Sequence, residues 1–434
     1  MTNLRVGLLG YGNVGAALVE LIEEERKAIA SRIGIELHVT KIAVRSTAKD
    51  RGAARPGQVF TTDARAVVDD PEIDVIVEVI GGIEPARALM LRAFELGKPV
   101  VTANKELLAN HGAELYAAAD AAGVDLLFEA AVCGAIPLVR PLRESLVGEP
   151  VQRVMGIVNG TTNYILTRMS EAGASYAEAL AEAQSLGFAE SDPSADVDGY
   201  DAGAKAAIIA TIAFGAVVVA ADVYHEGISG ISAHDIDMAG RLGYVVKAIA
   251  VVERTNELDG SAPEIAVRVH PAMIPTQHPL ASVRESFNAV FVEGDAVGEL
   301  MFFGRGAGGR PTASAVLGDL IDASVNKTNG AAGRIGILYP AIMRSIDDVE
   351  SAFYIALDVI DRPGVLARVA DVFGRHGVSI RSVEQEGMGD DARLIFVTHR
   401  ALERDAQSTL VELRDLDVVR ALLSVIRVVG DEDR

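Results

Sequence analysis

The chain has 434 residues, of which 61 are acidic and 40 are basic, so its formal net charge is -21 at pH 7. Nucleic acids and anionic membrane surfaces attract clustered lysine and arginine, so this charge argues against both as partners. Half of the residues are hydrophobic, which is enough for the cores of two or three domains. We expect a globular protein whose partners are small molecules.

Cysteine usage and the longest apolar run indicate where the protein works. Cys133 is the single cysteine, so no intramolecular disulfide can form, and we read it as a small buried residue. No positively charged, apolar leader follows Met1, which predicts a cytoplasmic protein. The uncharged run at 206–221 is alanine-rich and interrupted by Gly215, which favours a buried core helix over a membrane span.

The N-terminus has the pattern of a dinucleotide-binding turn. An apolar run at 4–9 fits a central strand, and residues with helical periodicity follow the glycine-rich segment after it. Glycines in that position permit a tight turn and close approach of a pyrophosphate to the start of the helix. The predicted cofactor-binding residues are Gly10, Tyr11, Gly12, Asn13, Val14 and Gly15.

The second strand, at 35–44, predicts the cofactor type. It ends at Arg45, where an NAD-specific site usually carries an acidic residue for the ribose hydroxyls. Arg45, with Lys49, Arg51 and Arg55 nearby, suits a 2′-phosphate, although a solvated basic loop is the alternative. The pattern favours NADP and leaves NAD open.

Strands at 73–80, 99–102 and 124–128 alternate with helices, which predicts a parallel, doubly wound sheet. Ligands of such sheets bind at the carboxyl ends of the strands, so Thr102 and Lys105 are candidates for the nicotinamide end. A loop of small residues at 129–137 closes this domain, and its alternative reading is a tight domain hinge.

The middle of the chain has a different pattern. After a strand at 152–159, Gly160 and Thr161 open a helix whose free amides could bind a carboxylate. Alternating stretches at 244–252, 265–269, 287–292 and 297–303 predict a mostly antiparallel sheet. We expect a substrate domain that also makes the subunit contact.

The segment at 187–205 gathers Glu190, Asp192, Asp196, Asp198 and Asp201 ahead of Lys205. In a helix, Asp201 and Lys205 lie one turn apart and share the apolar face, which points the pair inward. The alternatives are a structural ion pair and a functional lysine beside a binding loop. We expect Asp192 and Asp198 to serve a turn or a helix cap.

A second glycine-rich loop, at 304–312, precedes a helix that ends near residue 325. Gly306 and its neighbours suggest close backbone packing against a ligand, although an ordinary loop fits equally well. Residues 327–346 read as a linker. From residue 352 the order strand, helix, strand, strand, helix, strand predicts a small domain that packs independently.

Together these segments resemble homoserine dehydrogenase of the monofunctional type with a C-terminal ACT regulatory domain, over nearly the whole chain. The resemblance is carried by the following segments: GYGNVG at 10–15, VTANK at 101–105, GIVNGTTNYIL at 156–166, LGFAESDPSADVDGYDAGAK at 186–205, GRGAGGRPTASAVLGD at 304–319 and, for ACT, DRPGVLARVADVFGRHGVSI at 361–380.

The resemblance implies an α/β protein in three parts. The first is a Rossmann-type NAD(P)-binding domain with a parallel sheet at 1–135, completed by about 304–325. An α+β catalytic and dimerisation domain follows at 136–303. A linker at 326–350 leads to a βαββαβ ACT domain at 351–434.

The implied reaction is the reversible NAD(P)H-dependent reduction of L-aspartate 4-semialdehyde to L-homoserine, on the route to threonine, isoleucine and methionine. Lys205 matches the family's proton donor, and Lys105 matches a second lysine that helps to fix substrate and cofactor. Glu190 matches the acid that binds the substrate amino group, while Asp196 and Asp201 match acidic positions that orient substrate or lysine. From their place at a helix start, we expect Gly160 and Thr161 to meet the carboxylate.

The family also implies a sodium ion near the domain hinge, held largely by backbone carbonyls, although this loop is poorer in glycine than usual. The matching positions are Glu129, Val132, Gly134 and Ile136.

In ACT domains an amino acid commonly binds at the first strand-to-helix loop, between two copies. Here that loop comprises Asp361, Arg362, Pro363, Gly364, Val365 and Leu366. Threonine is the expected inhibitor, and a domain kept for assembly alone is the alternative. A homodimer or homotetramer is expected.

Two other functions stay open at this point. One is a different NADP-linked amino-acid or semialdehyde dehydrogenase. The other is a non-catalytic amino-acid sensor, for which Lys105 and Lys205 would be unnecessary.

Overall fold

The structure is a computed structural model that describes residues 2–48, 57–255, 264–333, 335–336, 338–387 and 392–429. Lys49, Arg51 and Arg55, which we expected near a 2′-phosphate, lie outside these ranges. Within them, no helix combines the length and the apolar character needed to cross a membrane.

The N-terminal domain alternates strands and helices as predicted. Its elements are β1 (Thr2–Leu9), α1 (Asn13–Ile33), β2 (Ile35–Ala43), β3 (Val59–Thr61), α2 (Ala64–Val68), β4 (Val75–Glu78), α3 (Ala86–Glu95), β5 (Val100–Thr102), α4 (Lys105–Ala122) and β6 (Leu126–Leu127). The strands pair in parallel in the order β3-β2-β1-β4-β5-β6, which confirms the Rossmann-type sheet. All carboxyl ends therefore face one edge, where α1 and α4 begin.

The first glycine turn is sterically required. Gly10 has φ of +106°, and a Cβ there would lie 2.7 Å from the carbonyl oxygen of Val79. A Cβ on Gly15 would lie 2.3 Å from the carbonyl oxygen of Gly10. Only glycine therefore lets α1 start this close to the sheet, which leaves the first amides of α1 at the carboxyl edge.

The middle domain is an antiparallel sheet covered by helices. Its elements are β7 (Val151–Ile157), α5 (Gly160–Ala172), α6 (Tyr176–Ser185), α7 (Ser194–Val197), α8 (Tyr200–Phe214), β8 (Ala216–Val217), β9 (Tyr224–His225), α9 (Ala233–Arg241), β10 (Tyr244–Arg254), β11 (Glu264–Pro275), β12 (Phe287–Gly294), β13 (Gly298–Arg305) and α10 (Gly309–Asn329). The order β13-β12-β7-β10-β11 is antiparallel at each step, as predicted.

Helix α10 returns to the first domain. Its buried residues Ala313, Val316 and Leu320 share a hydrophobic core with Leu8 of β1 and Leu18 of α1. The apolar face of α10 thus packs against the nucleotide domain, which lies about 300 residues earlier in the chain.

The C-terminal part contains β14 (Tyr339–Pro340), β15 (Ile342–Met343), β16 (Glu350–Val359), α11 (Val365–Arg375), β17 (Ile380–Glu386), β18 (Arg393–Thr398), β19 (Ala401–Leu402), α12 (Glu403–Asp415) and β20 (Val419–Val428). Apart from the short β19, the elements from β16 onward have the predicted βαββαβ order. Their sheet runs β20-β16-β18-β17.

The expectation that this domain packs independently is wrong. β20 pairs with β11 of the middle domain, so one sheet runs through both units. Tyr354 and Ile426 of the C-terminal domain share a hydrophobic core with Met238 and Met273. The predicted linker also makes strand contacts, because β15 pairs with β11 and β14 pairs with β8.

Candidate active site

A cavity of about 1490 Å³ lies between the carboxyl edge of the parallel sheet and the helices of the middle domain. The walls come from the start of α4, the β7–α5 turn, the segment before α8 and the β13–α10 loop. The predicted site residues that line it are Lys105, Gly134, Gly160, Thr161, Glu190, Asp196, Asp201, Lys205 and Gly306.

Lys205 is buried on α8, with 8% of its surface exposed. Its Nζ donates to Asp201 Oδ2 at 2.7 Å and to the carbonyl oxygen of Val158 at 2.6 Å. Burial by itself disfavours the charged amine, but the Asp201 carboxylate outweighs burial and raises the pKa of Lys205. The lysine is therefore an ammonium group with two fixed acceptors.

Asp201 stands between two lysines. Its Oδ2 accepts from Lys205, and its Oδ1 forms an ion pair with Lys105 from the first domain. Burial pushes the pKa of Asp201 upward, yet Lys205 and Lys105 together hold it well below the usual range. One carboxylate thus links the nucleotide domain to α8.

Asp196 and Asn159 complete the polar cluster. Asn159 caps α5 and its Nδ2 donates to Asp196 Oδ1 at 2.6 Å and to Asp201 Oδ2 at 2.9 Å. Burial raises the pKa of Asp196. Two carboxylates and two ammonium groups are consequently gathered in one partly closed space.

The remaining predicted substrate residues lie around this cluster. Glu190 is exposed at the cavity wall. Thr161 donates its hydroxyl to the carbonyl oxygen of Phe188 at 2.7 Å, which ties α5 to the acidic segment. A Cβ on Gly160 would lie 2.6 Å from the carbonyl oxygen of Ser286, so the helix start has room for backbone only. Asp192 serves a turn, as expected, since its Oδ1 accepts from Ser194 N at 3.1 Å.

The predicted cofactor residues do not all lie at the surface of the cavity. Gly10 to Gly15 form the β1–α1 turn, and Arg45 is exposed just after β2. Gly309 lies next to Asn13, where a Cβ would be 3.1 Å from the Asn13 carbonyl oxygen, so the second glycine loop borders the first. Thr102 is fully buried and donates its hydroxyl to Glu78 Oε2 at 2.5 Å, so its side chain does not reach the cavity.

Gly306 and Gly134 line the cavity and lie against each other. A Cβ on Gly134 would lie 2.4 Å from the Gly306 carbonyl oxygen, and one on Gly306 would lie 2.1 Å from the Asn288 amide. Cys133 is buried beside this contact, and burial raises the pKa of its thiol to about 11. Cys133 is thus a small buried residue, as expected, and its thiol form is favoured.

The loop predicted to hold sodium offers oxygens from its backbone. Among the described residues, no three His, Cys, Asp or Glu side chains cluster as metal ligands. The Glu129 carboxylate accepts from the backbone N–H groups of residues 138–140. No described backbone N–H donates to the carbonyls of Val132, Gly134 or Ile136, whereas the Glu129 carbonyl accepts from the Val132 N–H at 3.4 Å.

Asn159, His225 and Asn288 are among the cavity-lining residues to which the sequence alone assigned no role. The sequence Asn-Gly-Thr before an apolar helix carries a cap signal, which could have identified Asn159. His225 and Asn288 lie on separate strands and have no local signal. The His225 ring lies tilted against the Tyr200 ring, with 5.0 Å between the ring centroids, and Asn288 donates to the Val158 carbonyl oxygen at 2.9 Å.

The predicted effector loop lies between β16 and α11. Asp361, Arg362, Pro363, Gly364 and Leu366 are exposed, whereas Val365 is buried. Gly364 has φ of +89° and caps α11, so the loop is a formed turn on the domain surface.

A doubly wound sheet with a glycine turn, facing a buried lysine and carboxylate pair, defines a nicotinamide-dependent dehydrogenase. The NAD-binding domain of homoserine dehydrogenase matches residues 10–129, homoserine dehydrogenase itself matches residues 137–321, and the ACT domain matches residues 353–418. The chain belongs to the homoserine dehydrogenase family and is an oxidoreductase that acts on a CH–OH group.

Full-length relatives and solved structures agree with this assignment. Homoserine dehydrogenase of Corynebacterium glutamicum is 51% identical over 427 residues, covering 98% of this chain and 96% of the relative. That of Mycobacterium tuberculosis is 48% identical over 432 residues, covering 98% and 97%. The crystal structure of a homoserine dehydrogenase from Thiobacillus denitrificans superposes with a TM-score of 0.92 at 39% identity, covering 99% of both chains.

Proposed function

We propose that the chain catalyses the reversible reduction of L-aspartate 4-semialdehyde to L-homoserine, with Lys205 as proton donor. One observation supports this role above all: the Lys205 ammonium group is buried against Asp201, in a cavity that borders the nucleotide domain. The oxygen of an aldehyde bound in this cavity would face the Lys205 ammonium group, and that oxygen is the atom that gains negative charge during reduction.

Bound NADPH supplies the hydride. The task of the chain is to receive the charge that appears on the aldehyde oxygen and to protonate it. Lys205 carries the proton, and Asp201 keeps that amine charged and aimed by its 2.7 Å bond. Lys105 holds the second Asp201 oxygen and brings the nucleotide domain against the substrate.

The remaining groups suit the amino-acid end of the substrate. Glu190 offers a carboxylate to the substrate ammonium, and Asp196 lies nearby as a second acidic group. The free N–H groups at the start of α5, at Gly160 and Thr161, suit the α-carboxylate, because a helix N-terminus stabilises an anion.

For the cofactor we propose NADP, with NAD as a weaker alternative. Arg45 stands exposed at the end of β2, where a ribose phosphate would lie. A hyperthermophilic archaeal homoserine dehydrogenase solved in complex with NADPH has the same fold, at a TM-score of 0.63 and 29% identity, covering 75% of this chain and 98% of its own.

For the hinge we propose a sodium ion on the backbone carbonyls of Glu129, Val132, Gly134 and Ile136. Carbonyl oxygens suit a hard cation, and those of Val132, Gly134 and Ile136 accept from no described backbone N–H, whereas the Glu129 carbonyl accepts from the Val132 N–H at 3.4 Å. Its contribution would be to fix the hinge between the two domains.

For regulation we propose threonine as an inhibitor that binds at Asp361 to Leu366, where the loop is exposed. A dimer or tetramer would pair these loops between copies. A cytoplasmic location fits the metabolic role.

One assay tests the central proposal: oxidation of NADPH is followed with aspartate semialdehyde and with other aldehydes, in the presence and absence of threonine. We expect turnover that is fastest with aspartate semialdehyde and is lowered by threonine. Faster turnover of another aldehyde would point to a different semialdehyde dehydrogenase. Threonine binding without any turnover would point to a sensor.

A further inference from the structure

Asn159 occupies the junction between β7 and α5, two residues after the strand ends. It is buried, with 5% of its surface exposed, and it is the N-cap of α5. Its Oδ1 accepts from the Thr162 N–H at 2.9 Å and from the Thr162 hydroxyl at 3.1 Å. These two bonds fix the orientation of the amide, so Nδ2 must face the cavity side.

The Asn159 Nδ2 group donates both of its hydrogens to carboxylates. One goes to Asp196 Oδ1 at 2.6 Å and the other to Asp201 Oδ2 at 2.9 Å. Asp201 Oδ2 is also the oxygen that accepts from Lys205 at 2.7 Å. The amide therefore holds the same oxygen that aims the catalytic lysine.

Helix capping does not account for an amide at this position. Serine, aspartate and asparagine cap helices about equally well, because each offers the oxygen that the first turn needs. Of these three, asparagine alone also offers two N–H donors. A neutral double donor between two carboxylates reduces their repulsion and adds no charge to the cluster.

We propose that Asn159 is a positioning residue, which acts through Asp201 to keep Lys205 aimed at the reacting oxygen. This inference rests on the proposed function of Lys205 as proton donor. Asn159 itself touches no reacting atom in this role. Its loss should lower kcat more than it raises KM, since Glu190 and the first amides of α5 stay in place and Asp196 alone among the proposed substrate groups loses a hydrogen bond.

The test is Asn159→Ser, which keeps a capping oxygen and removes both donors. We expect kcat to fall about 100-fold, the cost of misplacing a catalytic group by about 1 Å. We also expect the acid limb of the kcat profile to move to higher pH, because a carboxylate that loses a donor to its ionised form gains a proton more readily. Asn159→Asp, which keeps the cap and replaces donors by an acceptor, should lose more than Asn159→Ser.

Ser175→Ala is the matched control. Ser175 caps the neighbouring α6 with a capping box to Glu178, and it lies outside the cavity lining. The Ser175→Ala substitution should lower the melting temperature without changing kcat or the acid limb of the kcat profile. If Asn159→Ser retains the wild-type kcat and acid limb, the positioning role is overturned.

A second measurement does not depend on turnover. The rate at which acetic anhydride labels Lys205, followed by mass spectrometry of the digested protein, reports how often the amine leaves Asp201 and becomes free to react. We expect severalfold faster labelling in Asn159→Ser than in the wild type, with Ser175→Ala unchanged. Equal labelling would overturn the role of Asn159, whereas a wild type that does not reduce aspartate semialdehyde would overturn the proposed function instead.

Discussion

Lys205 and Asp201 lie one helical turn apart on α8, and a 2.7 Å hydrogen bond joins Lys205 Nζ to Asp201 Oδ2. The same carboxylate pairs with Lys105, which opens α4 of the nucleotide domain. The pair is therefore more than a bridge within one helix, because it couples the two domains at the cavity.

Lys205→Met should lower kcat by about two to four orders of magnitude, because proton transfer to the substrate oxygen is lost. Lys98→Met is the matched control. Lys98 is also buried, and it donates to the Val68 carbonyl oxygen at 2.6 Å, far from the cavity lining. The control should lower stability and leave kcat unchanged. Near-normal turnover by Lys205→Met would show that the lysine is structural.

Arg45→Ala should raise the KM for NADPH by about 10- to 100-fold and that for NADH much less. The expected loss is that of one charge-assisted hydrogen bond to a phosphate. Arg32→Ala, an exposed arginine in the last turn of α1, should change neither value. Equal losses for both cofactors in Arg45→Ala would refute a 2′-phosphate contact.

Asp319→Asn should change the pH dependence of stability. Burial raises the pKa of Asp319 to about 7, so the folded state holds a proton that the unfolded state releases at lower pH. Wild-type stability from this group is present at low pH and is lost as pH rises toward 7. The variant has no such loss, and its hydrogen bond from Glu129 N can remain.

The free energy of unfolding of Asp319→Asn, relative to wild type, should therefore increase by about 2–3 kcal/mol between pH 5 and pH 8. Urea unfolding at both pH values measures it. A difference that stays constant with pH would show that Asp319 is ionised throughout this range.

Ending the chain at Val349 should leave a dehydrogenase that no longer responds to threonine and melts at a lower temperature. The cut removes β20 from the edge of β11 and uncovers Met238 and Met273. Asp361→Ala in the full chain is the control, since it should weaken the response to threonine without lowering the melting temperature. A truncated chain as stable as the full chain would mean that the shared core contributes little.

Arg427→Met should destabilise the C-terminal domain by about 3–5 kcal/mol, the cost of leaving a buried charge unpaired. Arg427 makes a bidentate ion pair with Glu403, at 2.6 and 2.8 Å, and Glu403 is 1% exposed. Adding Glu403→Gln should recover part of the loss, because the unpaired charge is then absent. Denaturant unfolding of both variants measures this, and a loss below 1 kcal/mol in the single variant would contradict it.

Much of the fold followed from local pattern. Apolar runs separated by helical periodicity predicted the parallel sheet, and the glycines at 10–15 predicted its first turn. The inward pairing of Asp201 with Lys205 followed from a spacing of four residues on a helix. Each of these features depends on residues that are close in sequence, so backbone geometry alone relates them.

Other features needed the assembled chain. His225 and Asn288 line the cavity because β9 lies beside α8 and β12 pairs with β7, and neither residue has a neighbour in sequence that marks it. The two donors of Asn159 became meaningful only when Asp196 and Asp201, about 40 residues later, were placed within 3 Å of its amide.

The sequence by itself determined the order of elements, the dinucleotide turn, the acidic segment and the lysine that faces inward. The tertiary structure decided that Lys105 shares Asp201 with Lys205, and that the C-terminal domain joins the middle sheet through β11 and β20. The physical reason is that periodicity shows which face of an element is apolar. Packing between elements far apart in the chain decides which other face covers that apolar face.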